Sequence, residues 1–90
     1  MAGKSTHTEV YFLRTVWVRR EHIQGDTGSG EEGIMRIVQR GETLKIVGNQ
    51  AHYLIVDETC LEVKIANKDA IEADLRQVRE LTKQTAKKAA

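Results

Sequence analysis

Between Gly33 and Ile65 a short run rich in β-branched residues, followed by a few polar or glycine residues, recurs along the chain. The runs are Ile34-Met35-Arg36-Ile37-Val38, Leu44-Lys45-Ile46-Val47, His52-Tyr53-Leu54-Ile55-Val56 and Leu61-Glu62-Val63-Lys64-Ile65. Between them stand Arg40-Gly41-Glu42, Gly48-Asn49-Gln50 and Asp57-Glu58-Thr59, the punctuation of consecutive hairpins. Gly48-Asn49 is the strongest turn signal, because both residues tolerate the positive φ of the primed two-residue turns that suit strand twist. In Leu44 and Ile46 against Lys45, and in Leu61, Val63 and Ile65 against Glu62 and Lys64, apolar and charged residues alternate, which predicts strands with one wet face. Tyr53 to Val56 does not alternate and is expected to be a central strand.

Ahead of this segment, Val10 to Val18 is dense in β-formers at both parities, which predicts the longest strand, covered on both faces for part of its length. Arg19, Arg20, Glu21 and His22 then lead to the surface, with Ile23 as the last inward contact. A chain of 90 residues, 40% hydrophobic and 30% charged, has room for one small domain and no second core. Its formal net charge of +1 supplies no overall field for nucleic acid or membrane, so any such binding needs a local patch. A single cysteine, Cys60, excludes an intramolecular disulfide and is expected as a small buried residue at a strand start. No apolar run reaches the length of a signal sequence or a span, so the cytoplasm is the expected location and no membrane partner is expected.

Three motifs fall in polar or glycine-rich segments. Gly3-Lys4-Ser5-Thr6 has the ending of a phosphate-binding loop but neither its strand, its earlier glycine nor its helix. Residues 1–8 are instead expected to be a disordered start. The segment 24–33 is expected to be a mobile glycine-rich loop. Within it, Gly28 to Gly33 has the dinucleotide-fingerprint spacing, yet it precedes a strand and carries Glu31 and Glu32, which repel a pyrophosphate. Asp26-Thr27-Gly28-Ser29 is identical to the aspartic-protease tetrapeptide, and the chain resembles the half-sized dimeric retroviral proteases in length and β-content. Such a site needs two carboxylates sharing a proton on loops held by apolar flanks, and Gln24 and Gly25 do not supply those flanks.

The stretch Arg40-Gly41-Glu42-Thr43-Leu44-Lys45-Ile46-Val47, the turn at Gly48-Asn49 and then His52 to Val56 resembles the centre of SH3-like domains over about residues 10–66. The resemblance implies a small β-barrel, with the glycine-rich loop in the place of that family's long first loop. Tyr53 stands alone where the family carries an aromatic cluster in its peptide groove.

Asn67 as N-cap, Asp69, Glu72 and Asp74 early and Arg76, Arg79, Lys83, Lys87 and Lys88 late predict a C-terminal helix over 67–88 that complements its own dipole. The stripe Ile71, Leu75 and Val78 is narrow, which predicts an oligomer interface and a homodimer. His7, His22 and His52 have no metal-ligand spacing, and no cofactor is expected.

The expected fold is therefore mainly β, a five-stranded meander or SH3-like small barrel over 9–66 with one C-terminal α-helix. The expected function is a non-enzymatic interaction module docking a protein partner through Arg14, Trp17, Arg19, Arg20 and Tyr53. The alternatives are a nucleic-acid-binding regulator, with Arg36, Arg40, Lys83, Lys87 and Lys88 joining those arginines in a basic face, and a dimeric aspartic protease.

Overall fold

The computed structural model describes residues 7–25 and 33–89, with side chains described as far as Lys83. Of the start over 1–8 expected to be disordered, His7 and Thr8 are described and lie in a paired strand; residues 1–6, the protease tetrapeptide and dinucleotide-like spacing in 26–32, and the side chains of Lys87 and Lys88 lie outside the described residues.

The elements are β1 (His7–Phe12), β2 (Val16–Arg19), a 3-10 turn (Arg20–His22), β3 (Met35–Val38), β4 (Thr43–Val47), α1 (Gly48–Val56), β5 (Cys60–Glu62), a second 3-10 turn (Ile65–Asn67) and α2 (Lys68–Ala89). They form a three-stranded sheet in the order β4-β1-β5 and a two-stranded sheet β2-β3, all pairs antiparallel. This corrects the expected mainly β fold, a five-stranded meander or closed small barrel with one C-terminal helix. The described strands make two separate small sheets, one isolated bridge, Ile23 to Ile46, links the β2 segment to β4, and a second helix stands where a strand was expected.

That helix is α1, and its sequence allows it. Ala51 is buried and Leu54 and Ile55 are partly buried, at the i, i+3, i+4 spacing of one helical face, while His52, Tyr53 and Val56 are exposed. An unbroken apolar run is compatible with either a covered strand or a helix, and periodicity alone cannot separate them. Gly48-Asn49 accordingly forms the first turn of the helix and not a hairpin turn. The helix ends in a Schellman arrangement: Thr59 N–H donates to the Leu54 carbonyl at 2.9 Å and Glu58 N–H to the Ile55 carbonyl at 3.1 Å. Glu58 carries the left-handed φ of 63° that this ending requires. Glycine meets that demand without a Cβ penalty, so Glu58→Gly is expected to raise stability by about 0.5–1 kcal/mol in urea unfolding.

The expected single strand from Val10 to Val18 is in fact two strands in different sheets, broken at Leu13-Arg14-Thr15. The break is fixed from outside: Leu13 N–H donates to the Thr59 carbonyl at 2.8 Å, and Thr15 Oγ1 accepts from Arg40 N–H at 3.2 Å. The apolar character at both parities has a direct cause. Val10 and Phe12 enter the main core with Val18, Ile23, Val38, Ile46, Ala51 and Cys60, and Tyr11, on the opposite face of β1, is equally buried but bonds to α2.

The turn between β3 and β4 seats the helix. Gly41 N–H donates to the Phe12 carbonyl at 2.9 Å, φ at Gly41 is 97°, and a Cβ there would lie 3.3 Å from Val78 Cγ1. The backbone angle strains any side chain there, and its Cβ would press on Val78. Gly41→Ala is expected to destabilise the chain by about 1–2 kcal/mol, read as a lower urea midpoint at unchanged slope.

Candidate functional site

Two polar or aromatic constellations stand out, and they do different things. The first is a latch between sheet and helix. The Tyr11 hydroxyl donates to Asp74 Oδ2, Arg40 Nη2 donates to Asp74 Oδ1 at 2.6 Å and Arg40 Nε to Oδ2 at 3.2 Å, and Gln77 Oε1 accepts from Arg40 Nη2 at 3.1 Å. Three elements meet at one carboxylate: β1, the β3–β4 turn and α2. The Arg40 hydrogen bonds hold the Asp74 carboxyl below its ordinary pKa against the effect of partial burial, with the Tyr11 hydroxyl bond adding to them. Burial first, then the bond to Asp74, raises the Tyr11 phenol well above its ordinary value.

These shifts set the pH window of the fold. The Asp74 contribution is fully present above the unfolded carboxyl value of about 3.9 and is lost as pH falls from there through the lowered folded value. Tyr11 works at the other end: its contribution is present below the ordinary phenol value of about 10 and is lost as pH rises from there towards the raised one. Burial pushes the Cys60 thiol up to about 12, so it adds a further alkaline loss starting near the ordinary thiol value of about 8.5. Thermal melting is therefore expected to hold level between about pH 5 and 8 and to fall on both sides, with the alkaline fall blunted in Tyr11→Phe.

The second constellation is a cleft of about 270 Å³ between the β2–β3 ribbon and α1, lined by Trp17, Val18, Arg19, His22, Met35, Gln50, Tyr53 and Leu54. Strand alternation places Trp17 and Arg19 on the outer face of β2, opposite Ile37 and Met35 of β3, while Val18 turns inward. The first turn of α1 contributes Gln50 and the next contributes Tyr53 and Leu54. Trp17 is 63% exposed and Tyr53 68% exposed, although both are large rings with apolar surface to bury. The Gln50 amide nitrogen lies 3.2 Å from His22 Nδ1, which fixes the ring at the cleft's edge.

The residues singled out in the sequence are thus partly brought together. Trp17, Arg19 and Tyr53 share this cleft. Arg14 is exposed in the turn after β1, and Arg20 is partly buried in the 3-10 turn; neither lines the cleft. Of the arginines expected to extend a basic face, Arg36 is paired with Glu42 at 3.2 Å and Arg40 with Asp74. Ile71, Leu75 and Val78 are all partly buried, on the face of α2 that also carries Asp74. Val78 lies against Gly41 of the same chain, and Ile71 lines a second groove of about 400 Å³ with Val63, Ile65 and Lys68. Asn67, expected as an N-cap, uses its side-chain amide to donate to the Glu62 carbonyl at 2.8 Å. Cys60 is buried and its raised pKa leaves no thiolate near neutrality.

Among the described residues no His, Cys, Asp and Glu side chains gather in a group of three or more that could hold a metal ion, and no helix is long and apolar enough to cross a membrane. His22 and Gln50 at the cleft and the Asp74 latch are the features sequence reasoning missed. The fold so described is a small mixed α/β domain of two sheets and two helices. No family model, curated protein or solved structure matches the chain.

Proposed function

We propose that this chain is a non-enzymatic interaction module that docks another protein through the cleft between β2–β3 and α1. The observation that carries this reading is the convergence of Trp17 and Tyr53, from segments far apart in sequence, on one concavity with an apolar floor. Exposed tryptophan and tyrosine at a pocket are the residue types that dominate binding energy at protein interfaces. The polar groups at its rim, Arg19, His22 and Gln50, are of the kind that fix orientation and register.

The test is a selection of random displayed peptides on the immobilised protein, followed by titration of the enriched peptides into the free protein. Trp17 is the one tryptophan of the chain, so its emission reports on the cleft directly. Enriched peptides that shift this emission saturably support the proposal. Peptides that bind and leave it unchanged place the docking surface elsewhere. Self-association is a separate proposal: the groove of Val63, Ile65 and Ile71, with Ile65 91% exposed, is a surface that a second copy would cover, and sedimentation over a range of concentrations reads it.

A further inference from the structure

The cleft is chemically lopsided, and that specifies an occupant. Val18, Met35 and Leu54 supply apolar surface and Trp17 and Tyr53 supply rings. Among the described residues that line it, the basic ones are Arg19 and His22 and none is a carboxylate; the nearest described acid, Glu21, is exposed at the rim, 3.5 Å from Arg19 and 3.7 Å from His22. At about 270 Å³ the cleft falls just below the range of roughly 300–1,000 Å³ usual for small-molecule sites, which suits one large side chain of a peptide.

Arg19 is also available to a ligand. Its partner Glu21 stands 3.5 Å away with both side chains more than half exposed, and such a pair is weak in water. The guanidinium can exchange Glu21 for a ligand carboxylate in a paired geometry that is stronger once water is excluded. A nucleic-acid strand fits less well, because Arg36 and Arg40, which would have extended a cationic track, already bond to Glu42 and Asp74. Resting on the docking reading above, we infer that the cleft takes an acidic peptide segment. One large apolar side chain seats between Trp17 and Tyr53, and a neighbouring carboxylate is held by Arg19.

The experiment uses the full chain and three probes, each followed by Trp17 emission: the end-blocked hexapeptide Glu-Asp-Leu-Phe-Asp-Glu, the same peptide with lysine at every acidic position, and a ten-nucleotide uridylate. The acidic peptide is expected to bind at least tenfold more tightly than the lysine peptide. Arg19→Glu is expected to reverse that order, and Arg19→Gln to abolish the preference, both with melting unchanged because Arg19 is exposed. Equal binding of the two peptides, with Trp17 responding to both, overturns the acidic preference and leaves the docking reading standing. No response to either peptide overturns the inference, and if displayed peptides also fail to move Trp17 the docking reading falls with it. Saturable, salt-sensitive quenching by the uridylate in place of the acidic peptide overturns both in favour of nucleic acid.

Discussion

Asp74→Ala is expected to lower the stability of the chain by about 2–3 kcal/mol, because it leaves the buried Tyr11 hydroxyl without its acceptor and removes both Arg40 hydrogen bonds to Asp74, leaving Arg40 held to α2 through Gln77. For a chain of this length that is a fall in melting temperature of roughly 10–20 °C. The helix has little else to replace the latch. Its long C-terminal half carries the exposed Leu81, and its inward face relies on partly buried Ile71, Leu75 and Val78. Amide exchange along 68–80 should therefore speed up more than exchange in β1 or β4. Tyr11→Phe removes the hydroxyl together with its need for a partner, so it is expected to cost only about 1 kcal/mol. The double variant should be less destabilised than the sum of the two, since both delete the same bond. Additive losses would mean that Tyr11 and Asp74 stabilise the fold independently.

Trp17→Ala is expected to weaken a peptide selected on the native protein by about thirtyfold or more, the loss usual for a central aromatic anchor, in a calorimetric titration. Its own fold should be almost unaffected. Trp17 is largely exposed, and its cross-strand neighbour Ile37 is exposed as well, so neither buries a surface that the core depends on. Loss of binding with melting preserved distinguishes a recognition residue from a structural one. Tyr53→Ala should show the same separation from the α1 side of the cleft, since the buried face of α1 is Ala51, Leu54 and Ile55.

The parts of this molecule that were legible in its sequence are those set by local pattern. The alternation in Leu44-Lys45-Ile46 predicts a strand, and β4 is one; the charge gradient after Asn67 predicts a helix, and α2 is one. Local pattern failed where two structures share one signature. Tyr53-Leu54-Ile55-Val56 reads as a covered strand, and only the positions of Ala51 and Leu54 against the core reveal a helix. The run from Val10 to Val18 reads as one long strand covered on both faces. It is two strands, the face of β1 bearing Tyr11 is bound by α2, and the outer face of β2 is the one left with Trp17 exposed.

The candidate site was legible in its residue types and not in its geometry. Chemistry alone points to Trp17, Arg19 and Tyr53 as binding residues, but their meeting depends on α1 being helical, because the helix carries Tyr53 and Gln50 to the same side. The Asp74 latch left no sequence signal at all. Its members stand 63 and 34 residues apart, and Asp74, beside Asp69 and Glu72 in the first half of a helix, reads as one more dipole partner.

The most direct measurement of the docking claim is a nuclear magnetic resonance titration of isotope-labelled protein with a selected peptide, following the Trp17 indole N–H and the methyl groups. Seating in the cleft predicts that Trp17, Val18, Met35 and Leu54 shift together and saturate with one affinity, while Ile65, Ile71 and Leu81 stay in place. Shifts confined to Ile65 and Ile71, or to Leu81, with the Trp17 indole unmoved, would contradict it.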